Sequence, residues 1–123
     1  MEGKKVLIVD DDTDILEVLN LLFEFSGYQT KATPDAGDTC KLVEEFQPNA
    51  IVMDVLLSGY DGREICRRLK AADHTSNIPI VMISAHPDAA KSTREAGADD
   101  FVAKPFDIHV LLEKVEKLLP EVR

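Results

Sequence analysis

The sequence predicts a single α/β domain in which a parallel sheet of five strands is covered by helices on both faces. Short apolar runs alternate along the chain with amphipathic stretches at helical spacing, which is typical of repeated strand–helix units. The apolar runs lack polar alternation, which indicates strands that are buried on both sides. The 123 residues, 45% of them hydrophobic, suit one domain with a substantial core. We therefore expect one domain over residues 1–123, with right-handed crossovers between its strands.

The first half of the chain predicts three strands separated by two helices. The first and third strands are apolar runs, whereas the second is more polar and suits an edge of the sheet. These strands occupy Val6–Val9, Tyr28–Thr33 and Ala50–Met53. The first helix has Thr13 or Asp14 as its expected cap and ends at Gly27. Its expected inner face carries Ile15, Val18, Leu19 and Leu22. The second helix is expected over Asp35–Phe46, with Ala36, Cys40 and Val43 inward.

The second half predicts two more strands and three more helices. A turn-rich stretch, Ser58–Gly62, leads into a helix that ends near Ala72, with Ile65 and Leu69 inward. The strands occupy Ile80–Ile83 and Phe101–Ala103. The helix between them lies within Asp88–Glu95, and because its apolar side is mostly alanine we expect thin packing there. The last helix is expected to turn inward Ile108, Leu111, Leu112, Val115 and Leu118.

Polar side chains follow four of the five predicted strands at the point where each strand ends. They are Asp10, Asp11 and Asp12 after the first strand, Asp54 after the third, Ser84 after the fourth and Lys104 after the fifth. Because the carboxyl ends of parallel strands share one edge of a sheet, these groups are expected to converge in one site. Asp10–Asp12 could instead be a solvated helix cap, and Asp12 alone is best read as a helix-start or outer-shell acid.

These groups suit a divalent cation and phosphoryl chemistry. Neighbouring carboxylates repel one another, and a hard cation such as Mg²⁺ relieves that repulsion. Asp54 can act as a nucleophile towards phosphorus and form an acyl phosphate. Phosphoryl transfer mainly needs alignment and neutralisation of charge on the phosphoryl oxygens, which Lys104 and Ser84 can supply alongside the metal.

The composition argues against several classes of protein. The net charge is −9, from 14 Lys and Arg against 23 Asp and Glu, which argues against direct nucleic-acid binding by this domain. Cys40 and Cys66 form neither a CxxC pair nor a zinc site, and we expect both to be buried or half-buried thiols in a reducing compartment. The absence of a membrane-length apolar run or a signal-peptide pattern predicts a cytoplasmic protein that does not bind membranes.

Four motifs in order, VDDD, IVMDV, MISA and GADDFVAKPF, together resemble the receiver domain of two-component response regulators, in the chemotaxis-regulator-like superfamily. The resemblance covers essentially the whole chain. It implies a flavodoxin-like three-layer (βα)5 sandwich with strand order 2-1-3-4-5. It also implies a signalling switch, not an enzyme, that takes a phosphoryl group from a sensor histidine kinase or a histidine phosphotransfer protein. The cofactor would be Mg²⁺, with Mn²⁺ as a substitute. The output would be an unknown protein or a fused effector domain, and the domain would be a monomer or a phosphorylation-dependent dimer.

The resemblance assigns roles to residues at the sheet edge. Asp54 becomes the phosphoacceptor, which also contacts the metal. Asp10 and Asp11 become the acidic pair, with Asp11 a direct metal ligand, and the backbone carbonyl of Leu56 becomes a further ligand. Ser84 and Lys104 would contact the phosphoryl group.

Further roles concern switching and the lifetime of the phosphoryl group. Ser84 and Phe101 would form the switch pair, and because phenylalanine has no hydroxyl this switch would rest on packing alone. Leu56 and His86, each two residues beyond a key side chain, would tune the phosphoryl lifetime. The Lys104–Pro105 bond would be cis, which an X–Pro bond permits.

Besides the missing hydroxyl at Phe101, the chain departs from the family pattern in two further places, and other functions remain open. Leu57-Ser58 stands where the family often has Met-Pro, and the segment from Ser84 to Gly97 is about two residues shorter than expected. An aspartyl-phosphate hydrolase is disfavoured because Val55 and Leu56 follow Asp54 in place of the DxD of that class. A flavin carrier is disfavoured because three aspartates would repel a phosphate. A scaffold that keeps the fold and is never phosphorylated is the serious competitor.

Overall fold

The computed structural model describes residues 4–86 and 88–119, and the rest of the expected 1–123 domain lies outside this description. Five strands form the main sheet and two short ones form a hairpin. The strands are β1 (Lys5–Val9), β2 (Gln29–Thr33), β3 (Ala50–Asp54), β4 (Leu56–Leu57), β5 (Tyr60–Asp61), β6 (Ile80–Ser84) and β7 (Asp100–Ala103). The helices are α1 (Thr13–Phe25), α2 (Thr39–Phe46), α3 (Gly62–Ala71), α4 (Ala89–Glu95) and α5 (Ile108–Leu118).

The main sheet has the predicted doubly wound topology. Its order is β2-β1-β3-β6-β7, which is 2-1-3-4-5 when the five strands of this sheet are counted alone. Every pair within it is parallel. The flavodoxin-like fold is therefore confirmed, and the polar second strand lies at an edge as expected.

Each face of the sheet carries its own apolar core, which explains the continuous apolar runs. In β1, Val6 and Ile8 belong to the core that includes α1 and α5, whereas Leu7 and Val9 belong to the core that includes α2 and α3. All four side chains are essentially inaccessible to water. A strand between two helical layers needs apolar residues on both sides, because successive side chains point to opposite faces.

The first helix begins one or two residues earlier than the sequence predicts, and it faces the core differently. Its cap is Asp12, whose carboxylate accepts hydrogen bonds from the backbone N–H groups of Asp14 (3.0 Å) and Ile15 (3.3 Å). The buried side chains are Leu16, Leu19 and Phe23. Val18, expected inward, is 50% exposed, because the stripe centred on Leu19 leaves it at the margin. Gly27 follows the last turn with a φ of 97°, as expected for a residue that ends a helix.

The second helix also differs from the prediction. It opens with a 3-10 turn over Ala36–Asp38, and the α-helix starts at Thr39. The tighter turn rotates the following residues, so Thr39 and Val43 face inward and Cys40 is exposed. The expected inward orientation of Cys40 is therefore wrong, whereas Cys66 is buried as predicted.

The fourth helix is short and lined by small residues. It has seven residues, and its buried side chains are Ala89 and Thr93. One side chain of α3 reaches it, since Arg63 Nη1 donates to Ser92 Oγ at 2.9 Å while Asp61 binds the same guanidinium. Among the described helices, none combines the length and apolar character needed to cross a membrane.

Candidate functional site

Three aspartates meet at the carboxyl edge of the sheet. Asp10 and Asp11 follow β1 and Asp54 ends the neighbouring strand β3, so parallel pairing of the two strands brings them together. A carboxylate oxygen from each lies within 4.8 Å of the others. Asp10 is 1% exposed and Asp54 is 6% exposed. Such proximity of buried like charges is unfavourable unless a cation lies beside them.

Lys104 supplies one such positive charge. It follows β7, and its backbone N–H donates to the carbonyl of Ser84 at 2.8 Å. Its Nζ donates to Asp54 Oδ2 at 2.8 Å and lies 3.4 Å from Asp10 Oδ2. Burial acts to lower the pKa of Lys104, but the hydrogen bonds and charges of Asp54 and Asp10 outweigh it and raise that pKa. Lys104 is therefore a fixed cation between two carboxylates, and its bond to Pro105 is cis.

Asp10 has an unusually high pKa because its carboxyl group is buried. Burial raises the pKa of this carboxyl from 3.8 to about 6, and the charge of Asp54 acts in the same direction. The backbone N–H of Asp12, which donates to Asp10 Oδ1 at 2.9 Å, and the charge of Lys104 oppose that rise. Lys104 therefore compensates only part of the negative charge of Asp10 and Asp54.

The backbone around Asp54 is shaped by a close approach of α3. Gly62 begins that helix, and its N–H donates to the carbonyl of Val55 at 2.7 Å. A Cβ at this position would lie 2.3 Å from the carbonyl oxygen of Asp54, so only glycine fits without a backbone shift. The short β4–β5 hairpin between them returns the chain beside the acidic cluster.

Ser84 and His86 lie at the same carboxyl edge, whereas Phe101 lies two residues before the end of β7, where it is in register with Met82 of β6. Ser84 ends β6 one residue beyond Ile83, the register partner of Asp54, and it is 1% exposed. Its Oγ accepts a hydrogen bond from the backbone N–H of His86 at 3.0 Å. The His86 side chain is exposed. Phe101 is half-buried and packs on the core beneath α2 and α3.

The donor set fits a hard divalent cation. Three carboxylates converge, and such oxygen ligands are the ones that Mg²⁺ prefers. The raised pKa of Asp10 indicates that its negative charge is poorly compensated, and a bound cation would relieve this. Mn²⁺ accepts the same ligands. Leu56, whose backbone carbonyl is the fourth expected ligand, lies in β4, two residues after Asp54, and its side chain is 52% exposed.

A side-chain contact and an apolar groove at this edge were not predicted from the sequence. Ser58, at the tip of the hairpin, donates to Asp11 from both its backbone N–H and its hydroxyl. An open apolar groove also runs beside Lys104, between α1 and the start of α5. Its lining includes Ile15, Val18, Leu19, Phe106 and Ile108. The unusual serine at position 58 was visible in the sequence, but its partner, 47 residues away, was not.

Comparison with known proteins gives one consistent family. The sequence model of the response regulator receiver domain matches residues 6–116. The DNA-binding dual master transcriptional regulator RpaA of Synechocystis sp. is 32% identical over 117 residues, which cover 94% of this chain and 48% of RpaA. The chain thus spans about half the length of this curated relative.

Solved structures agree with that family. The signal receiver domain of a signal transduction histidine kinase from Syntrophus aciditrophicus is 32% identical, with a TM-score of 0.87 over 95% of this chain and 90% of that one. The response regulator TrrA of Thermotoga maritima, solved in complex with Mg²⁺-BeF, is 26% identical, with a TM-score of 0.85 over 94% of this chain and 99% of that one.

Proposed function

The chain belongs to the response regulator receiver domain family of two-component systems, and we propose that it works as a switch that accepts a phosphoryl group on Asp54. The observation that carries this proposal is the setting of Asp54, which meets Lys104 at 2.8 Å and lies beside Asp10 and Asp11. A nucleophilic carboxylate, a cation for the phosphoryl oxygens and two acidic metal ligands thus occur together. Without Asp10 and Asp11 the site would lose two of the three carboxylates that could hold a metal.

The proposed reaction is transfer from a phosphohistidine of a partner protein. A carboxylate oxygen of Asp54 forms a bond to phosphorus as the N–P bond of the phosphohistidine breaks, and the electron pair of that bond returns to the imidazole. Asp10, Asp11, Asp54 and the carbonyl of Leu56 would hold Mg²⁺. The bound metal would neutralise charge on the phosphoryl oxygens. Lys104 stays close to Asp54 and balances charge on a further oxygen.

The proposed switch couples the new charge to the loop after β6. Phosphorylation adds negative charge and strong acceptors at Asp54. The Ser84 hydroxyl accepts a hydrogen bond from the His86 N–H and keeps its own hydrogen, which in this proposal turns towards Asp54 and donates to such an acceptor. Phe101 would then move into the space that Ser84 leaves. The short helix α4 is the element best suited to follow, because small side chains anchor it.

The donor would approach over the carboxyl edge of the sheet. The apolar groove beside Lys104 and the exposed Val18 offer the apolar surface that a protein partner needs near Asp54. We propose a sensor histidine kinase or a histidine phosphotransfer protein as that partner. The output would be a separate protein or an effector domain fused to this one, read through the surface near α4, β7 and α5, by a monomer or a phosphorylation-dependent dimer.

The function is tested by the kind of bond that a small donor creates. Phosphoramidate carries an N–P bond like that of phosphohistidine and needs no partner protein. We expect it to add one phosphoryl group that hydroxylamine removes, because hydroxylamine cleaves acyl phosphates and spares phosphoserine. An adduct that resists hydroxylamine would contradict phosphorylation of a carboxylate. No adduct at all would favour the unphosphorylated scaffold.

The lifetime of the phosphoryl group gives a second prediction. The side chains of Leu56 and His86 are exposed and flank the strand ends that carry Asp54 and Ser84. Truncating either one should open the acyl phosphate to water, so we expect Leu56→Ala and His86→Ala to shorten its half-life several-fold. The measurement is loss of phosphoryl mass over time, with His109→Ala as the control, because His109 lies on α5 and is also exposed. Equal half-lives in all variants would remove both residues from this role.

A further inference from the structure

We propose that Ser58 positions Asp11 for the cation, an inference that rests on the proposed function and adds a residue to its metal site. The backbone N–H of Ser58 donates to Asp11 Oδ2 at 2.9 Å, and the Ser58 hydroxyl donates to the same oxygen at 2.7 Å. Both donors thus converge on one carboxylate oxygen. Oδ1 is left as the oxygen of Asp11 that can face a cation.

The contact joins two segments that hold different parts of the site. Asp11 lies in the connection between β1 and α1, whereas Ser58 is the first residue of the two-residue turn between β4 and β5. Leu56, whose carbonyl is a proposed ligand, is the first residue of that hairpin. Ser58 therefore fixes a ligand side chain directly and fixes a ligand backbone through the hairpin.

The physical need for such a contact follows from the charges around Asp11. Asp10 and Asp54 repel its carboxylate, and Lys104 contacts those two aspartates. Without another partner, the half-buried side chain of Asp11 would gain by turning towards solvent. Two donors on Oδ2 offset this repulsion and restrict the orientation of the carboxylate. Mg²⁺ demands near-ideal octahedral geometry, so an oriented ligand binds it more tightly than a mobile one.

The residue type at position 58 makes the contact possible. Proline, frequent at this position in the family, has neither an N–H nor a hydroxyl and could provide neither hydrogen bond. Alanine would keep the N–H alone, and threonine would keep both donors. Alanine and threonine therefore separate the contribution of the hydroxyl from that of the backbone.

The test is the Mg²⁺ dissociation constant, measured by calorimetry on the whole chain with no phosphoryl donor present. We expect Ser58→Ala to weaken Mg²⁺ binding by about tenfold and Ser58→Thr to bind nearly as the wild type. Ser76→Ala is the matched control, because Ser76 Oγ bonds only the carbonyl of Asp73 among the described residues. The urea midpoint of the metal-free Ser58→Ala protein should match that of the Ser76→Ala protein, which a general loss of stability would not produce.

Two outcomes would overturn the inference, and they are distinguishable. If the wild type binds Mg²⁺ and Ser58→Ala binds it equally or more tightly, Ser58 does not position Asp11 and the proposed function stands. If the wild type itself binds no Mg²⁺, the metal-dependent function fails and the role of Ser58 fails with it.

Discussion

Asp10→Asn is expected to stabilise the metal-free protein while weakening its binding of Mg²⁺. Burial raises the pKa of Asp10 from 3.8 to about 6, so the native state holds this proton more tightly than the unfolded chain does. The native protein therefore loses stability as the pH rises from about 4 through about 6 and the buried carboxyl ionises. Asparagine cannot ionise, and its amide oxygen can still accept the hydrogen bond that Asp10 receives from the Asp12 N–H.

The expected size of this effect follows from the pKa. A rise from 3.8 to about 6 corresponds to roughly 3 kcal/mol above pH 6, which is the upper bound of the gain. Urea denaturation in the presence of a chelator measures it, at about pH 8 and again at about pH 4.5, where the advantage should fall to about a third. Asp12→Asn is the control, because it removes the same charge from an exposed helix cap that asparagine fills equally well. Equal stability of the two variants at pH 8 would contradict the claim that the ionised carboxylate of Asp10 destabilises the metal-free protein.

Lys104→Met is expected to destabilise the metal-free protein by roughly 3 kcal/mol. Methionine preserves much of the side-chain length but leaves Asp54 and Asp10, both nearly inaccessible to water, without the ammonium group that contacts them. The loss should shrink below about pH 6, where Asp10 takes up a proton. Saturating Mg²⁺ should recover part of it, because a bound cation replaces the missing charge.

Lys114→Met is the matched control for this prediction. Lys114 Nζ pairs with Asp100 Oδ1 at 3.1 Å, but both side chains are about one-third exposed, and such pairs contribute about 0–1 kcal/mol. Urea midpoints of the two variants, with chelator and with Mg²⁺, give the comparison. If Lys104→Met were no less stable than Lys114→Met, Lys104 would not be neutralising the buried aspartates.

The topology and the location of the site could be predicted from the sequence because both follow from simple physical rules. Apolar runs of strand length alternating with helices specify a parallel sheet, and a parallel sheet brings the residues that end its strands to one edge. Asp10, Asp54 and Lys104 meet there as expected. The residues that end strands are thus a more dependable guide to this site than any single motif.

The features that were predicted wrongly or not at all depend on local and tertiary geometry, which the spacing of apolar residues does not specify. The cap at Asp12, in place of Thr13 or Asp14, depends on where the chain leaves its extended conformation after β1. The outward position of Cys40 depends on a 3-10 turn that shifts the helix by a fraction of a turn. The pairing of Ser58 with Asp11 depends on the tertiary approach of a hairpin to a distant loop.

The most direct test of the central claim is the intact mass of the protein after incubation with acetyl phosphate. The measurement is made with Mg²⁺ and with a chelator, on the wild type and on Asp54→Asn, which keeps the shape of the side chain and removes the nucleophile. We expect one added phosphoryl group on the wild type with Mg²⁺, and none in either the chelated sample or the Asp54→Asn sample. An adduct that persists without Mg²⁺ or on Asp54→Asn would contradict phosphorylation at this carboxylate cluster.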